Sequence, residues 1–268
     1  MTGSTKLMVI PKKSMAGKKT LPAKKAGSTT KTAKLGQDQD IKVIVYVVMF
    51  AFEEQQLKFV LIRSADEPYG GLCAFPGGYL KNDEVLEAGV LRELKEQTGL
   101  GKTGSIRLKQ IMTVGPLKKD ARGRSISLFY LGAIPLLVDE KTGKRVEELK
   151  PMIDSIEADY HPVKKHPILA FDHEQITKQL LSILKEEALR TEILFDFFRS
   201  VIPASDMLSL VEQVWGTTAD RRKWDAWMRS LPFLQEMSGG EKYRLDRTEM
   251  RRWLRTHQLD MSEIFPQG

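Results

Sequence analysis

Three polar side chains in one short stretch could together hold a metal ion. Glu93, Glu96 and Gln97 lie in residues 75–100, whose sequence is FPGGYLKNDEVLEAGVLRELKEQTGL. On a helix, at about 100° per residue, they fall within roughly a third of the circumference. Two carboxylates held that close repel each other unless a hard divalent cation lies between them, and oxygen ligands suit Mg²⁺. The residue types therefore predict a Mg²⁺ site with Glu93 and Glu96 as ligands.

The sequence around these side chains predicts one amphipathic helix over residues 83–98. Gly99 would end it, because glycine readily adopts the left-handed conformation that follows many helices. Arg92 and Glu84 lie eight residues apart. We expect an ion pair between them to brace the corner between the preceding loop and the helix.

The order and spacing of these residues resemble the Nudix box. The positions that correspond to the box are Gly78, Glu84, Arg92, Glu93, Leu94, Glu96, Gln97, Gly99 and Leu100. In that family, Gln97 would be a glutamate that binds the catalytic metal, and an amide neutralises Mg²⁺ less. The resemblance implies a nucleotide diphosphate near Gly77 and Gly78 and a weakened cation site. It also implies catalytic roles for Glu84, Arg92, Glu93, Glu96 and Gln97 if the protein is active.

The net charge of +7 is confined to the first 40 residues, which contain nine lysines and two aspartates. This segment has no sustained apolar period, so it cannot bury enough surface to offset its ordering entropy. We expect a disordered, solvated tail, with non-specific attraction to phosphates as the alternative.

Nothing in the composition predicts a membrane protein or a disulfide-bonded one. The longest apolar run, residues 43–52, is about half of what a bilayer crossing needs. Cys73 is the only cysteine, which excludes an internal disulfide and favours a reducing compartment. We expect a cytoplasmic protein with no membrane partner.

The first half of the chain predicts strands on both sides of the helix. Apolar or alternating runs occur at residues 41–52, 57–64, 105–114 and 125–136. A short helix is a further prediction over residues 147–156. This order favours an α/β (α+β) fold, a layered α/β/α sandwich with a mixed sheet.

The second half predicts a separate unit. Asp172 is a candidate N-cap for a helix over residues 173–190. Beyond it, the pattern predicts helices at 204–214 and 219–230, then strands at 234–237 and 243–245 around the turn Ser238-Gly239-Gly240. Two helices followed by a two-stranded wing form a winged helix-turn-helix.

The second of those helices has a face suited to DNA. Trp224, Trp227, Met228 and Leu231 have the spacing of an inward face, and basic residues project from the other side. The candidate DNA contacts are Arg221, Arg222, Lys223, Arg229 and Lys242.

Three further segments are similar to the Nudix-related transcriptional regulators (the NrtR family): residues 120–131 (DARGRSISLFYL), 168–176 (ILAFDHEQI) and 220–229 (DRRKWDAWMR). The resemblance implies a homodimeric repressor that binds double-stranded operator DNA and senses ADP-ribose or a related nucleotide. Arg122 and Arg124 are the candidates for contacting its phosphates. The implied divisions are a tail (1–40), a Nudix domain (41–171), a linker helix (172–200), a winged helix-turn-helix (201–255) and a C-terminal tail (256–268).

Two alternatives remain open at this point. The first is an active Mg²⁺-dependent hydrolase of nucleoside diphosphate compounds, with Glu147, Glu148 or Glu157 as its base. The second is a nucleotide-binding scaffold whose winged domain binds another protein.

Overall fold

A long apolar strand, β1 (Lys42–Glu53), lies at the centre of the first half of the molecule. The computed structural model describes residues 41–64, 69–101, 106–115, 124–135, 149–153 and 156–265. β1 pairs with β6 in parallel and with β2 and β4 antiparallel. The sheet is therefore mixed, and the path through it runs β3-β2-β1-β6-β5, with β7 added on β2.

The two strands before the helix, the helix and the two strands after it occur in the predicted order, whereas β3, β4 and β7 were not predicted. The elements of this half are β1 (Lys42–Glu53), β2 (Gln56–Ser64), β3 (Cys73–Ala74), β4 (Gly77–Tyr79), α1 (Leu86–Thr98), β5 (Lys109–Val114), β6 (Ser125–Pro135) and β7 (Ile156–Pro162).

Both faces of the sheet are covered, which explains why β1 lacks a polar face. Val45 and Val47 point to the side where α1 packs through Val90 and Leu94. On the opposite side, residues such as Phe50 belong to a core that continues into the second half of the chain. This arrangement confirms the predicted α/β sandwich.

The second half contains a winged helix, with one strand (β8) and two helices (α3 and α6) more than the sequence predicted. Its elements are α2 (His173–Arg190), α3 (Ile193–Asp196), β8 (Val201–Pro203), α4 (Ala204–Trp215), α5 (Arg221–Ser230), β9 (Leu234–Met237), β10 (Lys242–Leu245) and α6 (Arg247–Trp253). The wing is a three-stranded sheet in the order β8-β10-β9.

Polar contacts fix the turn between β1 and β2 against α4. The Gln213 side chain accepts a hydrogen bond from the Leu57 N–H at 2.9 Å and donates one to the Gln55 carbonyl at 2.9 Å. The Gln55 amide in turn donates to Asp206 at 2.5 Å. Together with the shared core, these bonds hold the winged half on the sheet.

Some predicted bounds were wrong for identifiable reasons. α1 begins at Leu86 rather than at residue 83, because the Glu84 carboxylate accepts a hydrogen bond from the Lys81 N–H and holds a turn there. Residues 149–153 contain no helix, and β7 begins at Ile156 within the range where a helix was predicted. Asp172 precedes α2, yet its side chain makes no capping hydrogen bond.

None of the helices in the described ranges is long and apolar enough to cross a membrane. The predicted tail, residues 1–40, lies outside those ranges.

The predicted C-terminal tail contributes to the core over its described part. Leu259, Met261, Ile264 and Phe265 are buried. The Leu259 N–H donates to the Leu189 carbonyl, and the Phe265 ring stacks on Trp215 with centroids 5.5 Å apart.

We therefore expect Phe265→Ala to lower the free energy of unfolding by about 3 kcal/mol, the scale of a truncated buried phenylalanine. Urea denaturation would measure it. Glu263→Ala, at an exposed neighbouring position, serves as the control and should shift the midpoint little. Equal midpoints for the two variants would contradict the packing described for this segment.

Candidate functional site

Arg92 is the centre of the polar cluster on α1. Its guanidinium holds the Glu84 carboxylate in a two-point contact, with Nε at 3.0 Å and Nη2 at 2.5 Å. This ion pair lowers the pKa of Glu84 to about 2. It also ties α1 to the preceding loop, because Nη2 donates to the Tyr79 carbonyl at 3.2 Å. The pair thus braces the corner as expected.

The same guanidinium also contacts the two acidic residues that follow it. Its Nη1 donates to Glu93 Oε1 at 2.6 Å and lies 3.4 Å from Glu96 Oε2. Glu93 is buried, and this desolvation raises its pKa despite the contact with Arg92. Glu96 is more exposed, with 37% of its side-chain surface accessible.

Gln97 is buried and fully hydrogen-bonded. Its Oε1 accepts from the Gly77 N–H at 2.9 Å, while its Nε2 donates to the Gly77 carbonyl at 2.9 Å and to Glu93 Oε2 at 2.8 Å. The backbone N–H fixes which end of the amide is the donor. Gln97 therefore presents its nitrogen, and not an oxygen ligand, to Glu93.

As arranged, these side chains do not fit a divalent cation. One oxygen of Glu93 is bonded to Arg92 and the other to Gln97, so a cation at Glu93 would have to displace both donors. Among the described residues, no group of three or more His, Cys, Asp or Glu side chains could hold a metal ion. The assignment of Glu93 and Glu96 as metal ligands stays a prediction.

Gly77 and Gly78 belong to strand β4, not to a turn, and their surroundings leave little space for a side chain. A Cβ on Gly78 would lie 2.5–2.7 Å from the Glu93 carboxylate, and one on Gly77 would lie 2.3 Å from the Val45 carbonyl oxygen. β4 and α1 are joined through the hydrogen bonds between Gln97 and the Gly77 backbone.

Arg124 immediately precedes β6, beside the start of β1. Its carbonyl accepts a hydrogen bond from the Lys42 N–H at 3.0 Å, and the Lys42 ammonium lies over the Tyr79 ring at 5.4 Å from the centroid. Lys42 was not among the predicted site residues, although its place at the start of β1, opposite Ser125, could have indicated it. Arg122 lies outside the described residues.

The candidate bases of the hydrolase alternative stay predictions. Glu147 and Glu148 lie outside the described ranges, and Glu157 is an exposed residue of β7.

His173 supports the loop that enters the site. It is fully buried, and its Nδ1 accepts a hydrogen bond from the Phe75 N–H at 3.1 Å. Aromatic rings surround it, among them Tyr46 at 4.5 Å and Phe171 at 5.3 Å. Burial lowers the pKa of His173 to about 3, so the imidazole is neutral.

The winged half presents a basic helix to solvent. Trp224 and Met228 are buried and Trp227 is partly buried, while Arg222 and Lys223 are exposed, and within the described part of the chain their side chains have no ion-pair partner.

The other three candidate DNA contacts are also exposed. Arg221 pairs with Asp225 at 3.3 Å, and Arg229 pairs with Glu236 of the wing at 3.0 Å. Lys242 begins strand β10 of the wing.

A family model described as NUDIX domain matches residues 41–181. An ADP-ribose pyrophosphatase of Methanocaldococcus jannaschii is 34% identical over 129 residues, which cover 48% of this chain and 68% of that protein. The ADPR responsive transcriptional repressor NtrR of Acinetobacter baylyi is 24% identical over 182 residues, which cover 66% of this chain and 68% of that protein. The crystal structure of Shewanella oneidensis NrtR superposes with a TM-score of 0.61 at 23% identity, covering 81% of this chain and 98% of that chain.

The neutral, buried state of His173 predicts a pH dependence of stability. The unfolded chain binds a proton near the ordinary pKa of about 6.5, whereas the folded chain does so only near pH 3. The contribution of His173 to the free energy of unfolding is therefore fully present above pH 6.5 and decreases as the pH drops towards 3. The slope is about 1.4 kcal/mol per pH unit.

Unfolding by urea between pH 7 and pH 4 would measure this loss as the difference between the native protein and His173→Gln. His257→Gln, at an exposed site, should titrate like the native protein. Parallel pH profiles for the native protein and His173→Gln would contradict a depressed pKa at this residue.

Proposed function

The chain belongs to the NUDIX family, and we propose that it is a transcriptional repressor whose Nudix domain senses ADP-ribose or a related nucleotide. One observation carries this proposal: Gln97 is bonded to Glu93 and Gly77, where an active enzyme needs a cation. A site of this kind can retain a nucleotide without cleaving it. The relatives named ADP-ribose pyrophosphatase and ADPR responsive repressor support ADP-ribose as the ligand.

The effector's phosphates would lie away from the acidic face of α1. Arg92 has only one positive charge for three nearby carboxylates, so the cluster itself repels a phosphate anion. Lys42 and Arg124 supply positive charge near Gly78 and Tyr79. We therefore assign the phosphate contacts to Arg124 and Lys42, and the close approach of the ligand to Gly77 and Gly78.

The winged half would bind operator DNA through α5 and the wing. Arg222 and Lys223 are free of carboxylate partners within the described residues, so they can contact phosphates or base edges directly. Arg221 and Arg229 must first exchange Asp225 or Glu236 for DNA. Lys242 would contact the backbone from the wing.

The assembly would be a homodimer, because two winged helices related by a two-fold axis match two operator half-sites. Ligand binding would shift the equilibrium between dimer geometries that fit DNA and those that do not. The domain divisions predicted from the sequence are part of this proposal, with the Nudix match extending into α2.

A second candidate, an active Mg²⁺-dependent hydrolase, rests on the 34% identity to an ADP-ribose pyrophosphatase. In that case Glu84, Arg92, Glu93, Glu96 and Gln97 would form the active centre. Its cation, Mg²⁺, would be held by Glu93 and Glu96 and would polarise a phosphate and help ionise water. The contacts of Gln97 favour the sensor.

A gel-shift experiment with promoter fragments from the neighbouring operons tests the repressor. We expect at least one fragment to be retarded, and ADP-ribose to change its apparent affinity about fivefold or more, the lower end of typical allosteric coupling. Calorimetry with ADP-ribose in the absence of DNA is the control for ligand binding. The proposal of a repressor is wrong if no fragment is retarded. The proposal of an ADP-ribose sensor is wrong if ADP-ribose binds yet leaves DNA affinity unchanged.

Arg222→Ala tests the assignment of α5. The change should weaken operator binding and lower the slope of log affinity against log salt by about one, because one phosphate contact is lost. Arg190→Ala removes the same charge from an exposed position at the end of α2 and is the matched control. Identical salt slopes for both variants would exclude α5 from the DNA interface.

Gln97→Glu separates sensor from hydrolase. The native protein should release little or no AMP from ADP-ribose with Mg²⁺, while Gln97→Glu should gain partial turnover because a third carboxylate replaces the donor amide. Glu93→Gln in the Gln97→Glu background is the control and should abolish the gain. Brisk turnover by the native protein that Glu93→Gln stops would establish the hydrolase instead.

A further inference from the structure

A groove of about 970 Å³, apart from the polar cluster on α1, lies between the Nudix sheet and the wing. Ile134 and Pro135, at the end of β6, form part of one wall, and Gln235 and Arg244 of the wing form part of the other. Arg92 and Glu93 do not line it. We propose that this groove binds a small phosphate-bearing anion of nucleotide size, at a site separate from the Nudix box.

The charge of the lining favours an anion. Two aspartates, Asp196 and Asp246, and five arginines line the groove: Arg107, Arg199, Arg244, Arg247 and Arg251. The Asp246 carboxylate accepts hydrogen bonds from the Thr248 and Glu249 N–H groups at the start of α6.

Within the described residues, the Arg244 side chain has no carboxylate partner. Its guanidinium is exposed and stands among four others. An anion bound there would give the Arg244 guanidinium a partner of opposite charge.

An ion-pair network holds two sides of the groove in place before any ligand binds. Asp196, at the end of α3, contacts Arg107 from the Nudix half and Arg247 from α6, the latter at 3.2 Å. Glu192 pairs with Arg107 and Arg251, each at 3.0 Å. Arg107, Arg247 and Arg251 are therefore held in place, and a ligand need not order them.

The shape of the groove and its apolar walls indicate a small molecule. Its volume lies at the upper end of the roughly 300–1,000 Å³ of small-molecule pockets. Ile134, Pro135 and Pro232 supply apolar surface for a base or a sugar. A guanidinium group can donate two parallel hydrogen bonds to two phosphate oxygens. It therefore makes more contacts with a phosphate than a lysine ammonium does. Because the walls come from both halves, a bound anion would favour the docked arrangement of the winged domain.

Calorimetric titration of the full chain with inorganic pyrophosphate, without DNA or added metal, tests this site. We expect saturable binding that weakens about tenfold or more in Arg244→Ala, the scale of one charge-assisted contact. The pyrophosphate affinity of Arg244→Lys should lie between those of the native protein and Arg244→Ala, because lysine keeps the charge but loses the two-point donor geometry of the guanidinium. Arg255→Ala, exposed and outside the groove, should bind like the native protein.

Three results would overturn the proposal. The first is equal pyrophosphate affinity in the native protein and Arg244→Ala with unchanged melting temperatures. The second is an equal loss in Arg255→Ala, which would mean diffuse charge. The third is a larger loss of pyrophosphate affinity in Arg124→Ala than in Arg244→Ala, which would assign the anion to the Nudix site. Unaltered ADP-ribose affinity in Arg244→Ala would support two separate sites, whether or not the chain binds DNA.

Discussion

The hydrogen bond between the Gln97 amide and the Glu93 carboxylate is the contact on which the account of the site depends. Glu93 is buried and would be costly as an isolated charge. Arg92 and Gln97 between them satisfy both of its oxygens. A neutral amide cannot bind a cation as a carboxylate would. It can, however, donate a hydrogen bond to a carboxylate. Gln97 thus lies where the Nudix resemblance implies a metal-binding glutamate, and it donates a hydrogen bond to Glu93 instead.

The fold brings this contact about through β1. The strand pairs with β4 at Gly77 and Gly78, so it places these two glycines beside α1. It also pairs with β6 along its whole length, which brings Lys42 beside Arg124. The turn that follows β1 contacts α4 of the winged half through Gln213. One strand therefore links the candidate ligand-binding residues, the neighbouring Lys42 and Arg124, and the winged domain.

Much of this could be predicted from the sequence, because the signals were local. Gly99 takes the left-handed conformation at the end of α1, and α2 occupies the predicted residues 173–190. The apolar spacing of Trp224 and Met228 also predicted their burial correctly. Each of these depends on residues within one or two helical turns.

The remainder depends on contacts between distant parts of the chain. The role of Gln97 as a donor arises from the Gly77 backbone 20 residues away, which no spacing rule includes. β8 is only three residues long, and it exists because β10 lies beside it. The groove arginines are scattered from Arg107 to Arg251, so their convergence is visible only in the folded chain.

Binding of Mn²⁺, followed by electron paramagnetic resonance as a stand-in for Mg²⁺, tests the central claim most directly. The account predicts no saturable site below the millimolar range in the native protein, because Arg92 and Gln97 already occupy the oxygens of Glu93. A stoichiometric micromolar site that disappears in Glu93→Gln would contradict it.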